Sequence, residues 1–402
     1  MINTLRSLIA LDSPIRVFYH FLRGFLAHHI YGDPARDMIV IGVTGSKGKS
    51  TTTNIIAQGL ERAGKKVFMF STVRYCIAGE WFENDMKMTS VDPFILNKLL
   101  VEAKRRGCEY AIIEVSSHAL FYNRVYGIDF DVAVFTNLSQ DHLDLHHTME
   151  NYADTKLRLF TGLVNGRRKK GVKKVSVINI DSEYAPRFLE ATVDTLYSFG
   201  TLPNAQIRAQ DIVTTKEGTS FTVRMPSGTF SINTKLCGEF NVWNILAAVG
   251  VLISQRVDSQ TIKETMENLG TLPGRLQEVS TNFPFTVFVD YAHTEESLRN
   301  VLETIRSFKN VKRIITVFGA TGDRDRDKRP KMGAMVHKLS DVIILTEDDN
   351  YTEDQFRIMN EVSKGIKRKE GEDFWIIFNR EDAIRTALIL AQKDDVVLLA
   401  GK

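Results

Sequence analysis

The sequence predicts an α/β protein built on doubly wound, mostly parallel sheets. Three observations support this prediction. Buried-strand runs alternate with segments of helical periodicity from residue 38 onward, the alternation occurs in two separate series, and a glycine-rich turn joins the first strand to the first helix. Strands that alternate with helices are joined by crossovers and therefore pair in parallel. In such sheets, ligands bind at the carboxyl ends of the strands.

Residues 1–37 precede the first strand and are predicted to form one or two short helices. Apolar side chains recur at helical spacing in this segment and predict a single apolar face. The residues of this face are Phe18, Phe21, Leu22, Phe25 and Leu26. Two interpretations stay open: the face packs on the next domain, or residues 14–30 lie on a membrane surface.

The first strand–helix series, residues 38–272, is predicted to form a central domain. Its strand runs read MIVIGV, KVFMF, YAIIEV, DVAVFTN and KVSVIN. The stretch from about residue 206 to 235 differs, because its threonines and valines alternate with other residues around two turn-like tripeptides, KEG and PSG. We expect a small antiparallel excursion here.

The second series, residues 273–402, is predicted to form a C-terminal Rossmann-like α/β domain. Its strand runs read TVFVD, RIITVFG, DVIILT, FWIIF and DVVLLA, again with helical segments between them. Pro273 and Gly274 lie between the two series and are the expected hinge.

The composition of the chain excludes several classes of protein. Its 52 basic and 49 acidic residues nearly balance, so nothing indicates a nucleic-acid partner. Three cysteines without a CxxC pair argue against a disulfide framework or a zinc ribbon. No signal peptide and no apolar run of about 18–20 residues is evident, so we expect a cytoplasmic protein without a spanning segment. A monomer is the starting expectation, although the sequence leaves the oligomeric state open.

Residues 41–53, IGVTGSKGKSTTT, form the most informative segment. They place a glycine-rich turn between a buried strand and a helix, as in a phosphate-binding loop (P-loop), where backbone N–H groups surround phosphate oxygens. Val43 stands where the strict P-loop pattern has its first glycine. We expect Lys49 to contact the outer phosphates and the Ser50 hydroxyl to bind Mg2+. The predicted nucleotide-binding residues of the loop are Gly45, Ser46, Lys47, Gly48, Lys49, Ser50 and Thr51.

Further polar residues follow the ends of neighbouring predicted strands. Glu114 ends the run YAIIEV, and Asn137 ends DVAVFTN. Because the carboxyl ends of parallel strands share one edge of the sheet, Glu114, His142 and Lys156 could converge on the P-loop. A carboxylate beside a triphosphate suits Mg2+. Histidine is a less usual ligand for this ion, so residue type alone does not assign His142 to it.

Several long segments resemble successive motifs of the MurE-type branch of the Mur ligase family, in the family's order. They are TGSKGKSTTT, IIEVSSHAL, FTNLSQDHLDLHHTMENYADTKLRLF, GEFNVWN, PGRLQ, VDYAHT and GATGDRDRDKRPKMG, and the match runs from about residue 38 to the end. The resemblance implies an ATP-dependent ligase that joins an amino acid to the carboxylate of a UDP-MurNAc-L-Ala-D-Glu-like cell-wall precursor. The implied route passes through an acyl phosphate and releases ADP and phosphate.

The resemblance also implies roles for individual residues around ATP. Lys49 would hold the phosphates, while Ser50, Glu114 and His142 would bind two Mg2+ ions. Lys156 matches the family's carbamylated lysine, in which CO2 converts a cationic side chain into an anion that can face Mg2+. The four residues expected to act in catalysis are Lys49, Glu114, His142 and Lys156.

Other matched residues concern the adenine base, the closure of the C-terminal domain and the two remaining substrates. Asn241 and Asn244 match the adenine contacts. Arg275, Asp290 and His293 would bring the C-terminal domain onto ATP. The predicted substrate residues are Thr89, Ser90, Ser116, Ser117, His118, Arg124, Arg324, Asp349 and Asn350, of which Ser116, Ser117, His118 and Arg124 match acceptor-peptide positions.

The chain departs from the family pattern in four places. Only about 37 residues precede the first strand, too few for the usual N-terminal UDP-binding domain. The DNPR motif of diaminopimelate-adding members reads DDNYTED, so Tyr351 and Thr352 replace its proline and arginine. Loss of that carboxylate clamp predicts that meso-diaminopimelate is not favoured. The chain ends at LLAGK, before the family's GHE, and Tyr122 stands where many relatives carry glutamine.

Three questions stay open on the sequence alone. Asp348, Asp349 and Glu353 could favour a cationic amino acid such as lysine, or they could simply face solvent. A folylpolyglutamate-synthase-like ligase acting on another carboxylate is an alternative, because that branch also lacks a UDP-binding domain. A MurT-like, partner-dependent subunit acting on a lipid-linked acceptor is another, although such proteins carry a zinc ribbon that three scattered cysteines do not supply.

Overall fold

A computed structural model describes residues 10–84, 92–191, 193–270, 272–323 and 325–401. The chain divides into two compact units. The first unit contains the chain up to Asp211 together with Phe221–Ile232 and Asn241–Asn268. The second unit contains Ile212–Ser220, Asn233–Phe240 and the chain from Leu269 onward.

Strands and helices alternate along the first part of the chain. The strands of the larger sheet are β1 (Ile39–Thr44), β2 (Val67–Phe70), β3 (Arg74–Ile77), β4 (Glu80–Glu83), β5 (Tyr110–Glu114), β6 (Val132–Phe135), β7 (Val175–Asn179), β8 (Thr195–Gly200), β9 (Ile207–Thr215), β10 (Gly218–Met225) and β11 (Gly228–Thr234). The helices are α1 (Pro14–Tyr31), α2 (Lys49–Arg62), α3 (Pro93–Arg105), α4 (Ser117–Phe121), α5 (Leu143–His146), α6 (Met149–Asn165), α7 (Ala185–Leu189), α8 (Phe240–Ser254) and α9 (Ser259–Glu267).

The described strands of the larger sheet lie in the order β11-β10-β9-β8-β7-β6-β1-β5-β2-β3-β4. β1 lies between β5 and β6 and pairs in parallel with both. Parallel pairing continues outward to β2 on one side and through β7 and β8 to β9 on the other. The predicted doubly wound, mostly parallel sheet is confirmed, and the carboxyl ends of β1, β5 and β6 meet at one edge.

Both ends of this sheet carry hairpin-like strands. β9, β10 and β11 are neighbours joined by two-residue turns, which suit antiparallel strands, and this is the predicted antiparallel excursion. A second hairpin was not predicted: β3 and β4 pair antiparallel at the opposite edge. Their sequences, RYCI and EWFE, mix charged and apolar residues without clear alternation, because β4 is mostly exposed.

The apolar face predicted for α1 is split in the structure. Phe21 and Phe25 pack against the ring of Tyr126, and this side of the helix faces the rest of the first unit. The exposed members of the predicted face are Phe18, Leu22 and Leu26. The prediction of one face was therefore wrong, because helical spacing alone does not distinguish two neighbouring apolar faces. Among the described helices, none is long and apolar enough to cross a membrane.

The second unit is a smaller α/β assembly. Its strands are β12 (Gln277–Val279), β13 (Thr286–Asp290), β14 (Ile314–Phe318), β15 (Val342–Leu345), β16 (Phe374–Ile376) and β17 (Val396–Ala400). Its helices are α10 (Glu295–Ser307), α11 (Lys328–Leu339), α12 (Gln355–Ser363) and α13 (Arg380–Leu390). The sheet order is β12-β13-β17-β14-β15-β16, and every described pairing except β12 with β13 is parallel. The predicted Rossmann-like arrangement is confirmed.

Candidate nucleotide and metal site

The P-loop joins β1 to α2 and is held in shape by the end of β6. Gly48 precedes α2 in the left-handed conformation, with a φ of 80°, which glycine adopts without a steric penalty. The Asn137 side chain accepts a hydrogen bond from the Lys47 N–H at 2.8 Å, and the Thr136 hydroxyl donates to the Lys47 carbonyl at 2.7 Å. Residues that follow β6 therefore fix the curvature of the loop.

Three donors meet one carboxylate oxygen at the end of β5. The Ser50 hydroxyl, in the first turn of α2, donates to Oε2 of Glu114 at 2.8 Å. Thr72, which lies two residues beyond β2, donates to the same oxygen through its backbone N–H at 2.8 Å and its hydroxyl at 3.0 Å. Ser50 and Glu114 are both buried. The predicted pair therefore meets, and Thr72 is an additional residue of the site.

Two lysine side chains reach successive carbonyls of the P-loop. Nζ of Lys49 lies 2.9 Å from the Ser46 carbonyl, and Nζ of Lys156 lies 2.8 Å from the Gly45 carbonyl. Lys156 is buried. Burial, reinforced by the nearby Lys49 charge, holds the pKa of Lys156 well below that of a free lysine. The neutral amine, which is the form that combines with CO2, is thereby favoured.

A group of histidines lies beside the loop. The ring centroids of His118 and His142 are 4.6 Å apart, and those of His118 and His146 are 6.2 Å apart. Desolvation lowers the pKa of His142, and it lowers the pKa of His146 to about 3. His146 is therefore neutral at pH 7, and neutrality is also favoured for His142, whose imidazole can offer a lone pair to a cation. Nε2 of His146 is buried without a hydrogen-bond partner in the described part of the chain.

Tyr152 connects these parts of the site and was not among the predicted residues. Its hydroxyl lies 3.2 Å from the Ser46 hydroxyl, its ring centroid lies 4.5 Å from Nζ of Lys156, and its ring stacks on His146 with centroids 5.0 Å apart. Tyr152 precedes Lys156 by four residues on α6, so the two side chains share one face of the helix. This spacing is the signal in the sequence that could have identified Tyr152.

The two asparagines predicted to contact adenine lie on α8, next to the P-loop. Nδ2 of Asn244 donates to Oδ1 of Asn241 at 3.0 Å, and both residues are buried. A Cβ atom at Gly48 would overlap Oδ1 of Asn244. The close approach of Asn244 is therefore a second reason for glycine at position 48. The structure brings this pair together with the P-loop.

The residues predicted to bind the acceptor peptide surround α4. The Ser116 hydroxyl caps this helix by accepting the Ala119 N–H at 3.1 Å. The Ser117 hydroxyl is buried, and no hydrogen-bond partner for it exists among the residues described. The Arg124 guanidinium lies 5.4 Å from the centroid of the Tyr122 ring. The predicted substrate residues outside the described part of the chain are Thr89, Ser90 and Arg324.

Arg275, Asp290 and His293 come together within the second unit. The Asp290 carboxylate accepts the Leu276 N–H at 2.7 Å, which ties the residue after Arg275 to the end of β13. The Arg275 guanidinium lies 5.0 Å from the centroid of the Tyr291 ring, and Nδ1 of His293 lies 2.8 Å from the Tyr291 carbonyl. These three predicted residues therefore form one cluster at the end of a strand.

Asp349 and Asn350 lie in the loop after β15, also in the second unit. The Gly322 N–H donates to the Asp349 carbonyl at 2.9 Å, and a side chain at Gly322 would overlap the Asn350 carbonyl. Thr352, which stands in place of the arginine of the DNPR motif, donates its hydroxyl to Asp323 at 2.8 Å. These contacts hold the loop after β15 against the loop that contains Gly322 and Asp323. Position 352 has a hydroxyl where the motif has a guanidinium.

Residues 43–252 match the model of the Mur ligase middle domain, and residues 274–402 match the model of the Mur ligase glutamate ligase domain. The chain belongs to the Mur ligase family. It is 40% identical over 377 residues to the UDP-N-acetylmuramoyl-L-alanyl-D-glutamate--2,6-diaminopimelate ligase of Geobacillus thermodenitrificans, covering 94% of this chain and 76% of that protein. It is 36% identical over 396 residues to the protein of the same name from Bacillus cereus, covering 98% and 79%.

Solved structures of Mur ligases and related enzymes share this fold. A ligase with the same name as those relatives superposes with a TM-score of 0.64 at 29% identity, over 96% of this chain and 77% of its own. A folylpolyglutamate synthase of Mycobacterium tuberculosis superposes with a TM-score of 0.77 at 16% identity, over 95% and 92%. At that identity the second likeness shows the fold alone. The resemblance read from the sequence motifs is confirmed.

Mur ligases depend on ATP and magnesium, and the residues present in this site fit both. Within the described residues, no group of three or more His, Cys, Asp or Glu side chains is arranged to hold a metal alone. The Ser50 hydroxyl and the Glu114 carboxylate are instead two oxygen donors beside a phosphate loop. Mg2+ commonly takes one or two protein oxygens and completes its shell with phosphates and water.

Proposed function

We propose that this Mur ligase is an ATP-dependent, amide-forming enzyme that adds one amino acid to the terminal carboxylate of a UDP-MurNAc-L-Ala-D-Glu-like acceptor. Relatives that align with nearly the whole chain are named as ligases of this class. The observation that carries the proposal is that the buried Ser50–Glu114 pair and the buried Lys156 amine both lie at the P-loop. We further propose a cytoplasmic monomer without a nucleic-acid partner, in keeping with the near balance of charge.

The P-loop would receive the phosphates of ATP. Its backbone N–H groups and the N-terminus of α2 favour negative charge, and Lys49 adds a positive charge at the outer phosphates. Ser50 and Glu114 would hold one Mg2+, and Glu114 and His142 would hold a second. Magnesium bound there would neutralise charge on the phosphoryl oxygens during transfer. The position of Asn244 beside Gly48 supports its role, with Asn241, as an adenine contact.

Lys156 is proposed to act as a carbamate. An ammonium group at this buried position would add a second cation next to Lys49, which is unfavourable beside a metal ion. The lowered pKa of Lys156 supplies the neutral amine that CO2 requires, and the product would present anionic oxygens to the metal site. Tyr152, whose ring lies against Nζ, would limit the orientations of the modified side chain.

The site must also position the acceptor and the incoming amino acid. The acceptor carboxylate, held near Ser117, His118 and Arg124, would attack the γ-phosphate of ATP and release ADP. The amine of the amino acid would then attack the acyl phosphate and release phosphate. The proposed route needs no covalent bond to the protein, so orientation and charge neutralisation would account for the rate. The buried Ser117 hydroxyl supports this placement, because a polar acceptor group would complete its hydrogen bonding.

The amino acid is proposed not to be meso-diaminopimelate, although the relatives are named for it. A second carboxylate on the side chain needs a bidentate clamp, and Thr352 cannot form one. Its hydroxyl is engaged with Asp323 instead. Lysine, which has the same chain length without that carboxylate, is the first candidate, and the acidic side chains of Asp348 and Asp349 favour its charge.

The test follows phosphate release with ATP, Mg2+ and UDP-MurNAc-dipeptide, with lysine, ornithine and meso-diaminopimelate offered in parallel. We expect release that requires both the acceptor and lysine, and Thr352→Arg should raise the relative rate with diaminopimelate. Turnover with a folyl acceptor but not with the muramoyl acceptor would instead identify a folylpolyglutamate-synthase-like enzyme. ATP binding without turnover in every combination would contradict an autonomous ligase and indicate a missing partner.

A further inference from the structure

One face of α1 exposes an apolar stripe to solvent. Six large side chains at helical spacing contribute to it, and each is between 40% and 73% exposed. They are Ile15, Phe18, Tyr19, Leu22, Leu26 and Ile30. Scattered single apolar residues are normal on a protein surface, whereas a continuous stripe along an 18-residue helix indicates a binding surface. None of the residues assigned to the nucleotide, metal or acceptor site lies on α1.

The direction of the stripe is fixed by the packing of the opposite face. Gly24 and Ala27 are buried, and a Cβ atom at Gly24 would overlap the Asn123 carbonyl. The helix backbone therefore lies directly on the loop that follows α4. Phe21 and Phe25 pack on Tyr126 beside it. Rotating the stripe inward would break these contacts, so the exposed orientation is the stable one.

Exposed basic side chains lie at the C-terminal end of the stripe. α1 contains no aspartate or glutamate. A basic loop, residues 167–173, lies at its C-terminal end, because Arg167 is 3.8 Å from Asp33 and Nζ of Lys169 donates to the Met38 carbonyl at 2.6 Å. Two arginines of the loop are about twice as exposed as the aspartates with which they form ion pairs. Arg167 is 46% exposed and Asp33 is 23% exposed. Arg168 is 56% exposed and Asp194 is 27% exposed.

We propose that the stripe of α1 and the basic loop together dock this enzyme on the surface of an anionic lipid bilayer. An amphipathic helix and a cluster of basic residues are the two signals that reversible binding to such a surface requires. A second copy of the chain is a poorer fit, because a twofold interface would place the stripe against itself and bring like charges together. Tyr122, whose hydroxyl donates to the Leu11 carbonyl at 2.7 Å, ties the loop that follows α4 to the segment that precedes α1.

Flotation of the full chain with vesicles tests the proposal. Vesicles of phosphatidylcholine alone are compared with vesicles of equal parts phosphatidylcholine and phosphatidylglycerol, at low and high salt. We expect binding to the anionic vesicles only, weakened by salt because screening acts on the basic loop. Phe18→Ser with Leu22→Ser should reduce binding at least about tenfold, since two of the six inserted side chains are lost. Lys170→Gln with Lys173→Gln should also reduce it.

Matched variants in the second unit control for general loss of apolar surface and of charge. Ile389→Ser with Phe356→Ser removes two exposed apolar side chains, and Lys367→Gln with Lys393→Gln removes two exposed charges. Both controls should bind vesicles like the unmodified chain. Thermal melting checks that each variant is folded.

Three outcomes would overturn the proposal. The unmodified chain could remain unbound to anionic vesicles, or the Phe18→Ser, Leu22→Ser variant could bind as well as the unmodified chain. Alternatively, sedimentation velocity without lipid could reveal a dimer of the unmodified chain that the same variant dissociates. That result would assign the stripe to contact between copies.

Discussion

Replacing Glu353 with glutamine should destabilise the second unit by about 3 kcal/mol. The Glu353 carboxylate receives two hydrogen bonds from the fully buried Arg329 guanidinium, both at 2.9 Å. It also accepts the Asp323 N–H at 2.8 Å. The carboxylate thus joins the loop before α11 to the loop after β15, which holds the predicted substrate residue Asp349. Arg329 keeps a second partner in Glu361, at 2.6 Å, so its charge is not left wholly uncompensated.

The magnitude follows from the pKa of this carboxyl group. Hydrogen bonds from Arg329 lower the pKa of Glu353 from its ordinary 4.5 to about 2. Each unit of pKa is worth about 1.4 kcal/mol, so the difference corresponds to about 3 kcal/mol of stability at pH 7. Because the folded pKa is the lower one, this stability is present above pH 4.5 and is lost as the pH falls toward 2. About 1 kcal/mol should already be lost at pH 4.

Native-state hydrogen exchange, followed by mass spectrometry of peptides from β14 and β15, measures the opening free energy of this unit separately from the first. Glu381→Gln is the matched control, because Glu381 forms an ion pair with Arg385 at 2.7 Å in which both side chains are about 70% exposed. The control should change the opening free energy by less than about 1 kcal/mol. An equal effect of the two substitutions at pH 7, or a Glu353→Gln effect that does not shrink at pH 4, would refute the reasoning.

Three further predictions concern the nucleotide and metal site. Lys156→Ala should lower kcat at least about a hundredfold, and added acetate should restore part of it by replacing the carbamate; activity that stays high, or no rescue, would argue against that role. Thr72→Val should raise the Mg2+ concentration needed for half-maximal phosphate release by about tenfold, because the Glu114 carboxylate loses one donor. An unchanged Mg2+ titration would show that Thr72 does not orient the Glu114 carboxylate. Gly48→Ala should weaken ATP binding at least about tenfold in calorimetry, because its Cβ overlaps Asn244 and its φ is positive, and an unchanged affinity would contradict this account.

The fold and the centre of the site were predictable because their signals are local. Buried strands alternating with helices specify parallel pairing, and a glycine-rich turn at a strand end specifies a phosphate loop. Glu114 could be placed beside Ser50 without a structure, since both follow parallel strands whose ends share one edge. Tyr152 could also have been predicted as a residue of the site, because it lies one helical turn before Lys156.

Other features depend on which surfaces meet, and only the tertiary structure decided them. Thr72 is 42 residues before Glu114, and the two meet because β2 and β5 are neighbours, which the strand pattern did not specify. The pKa of Lys156 is low because folding buries it beside Lys49, a property of the enclosure and not of the residue. The period of α1 predicted a helix with apolar residues, but which of them are covered depends on the loop against which Gly24 packs. The periodicity of a sequence reports how apolar residues are spaced along one helix or strand. Whether such a residue is buried depends on which other part of the chain packs against it.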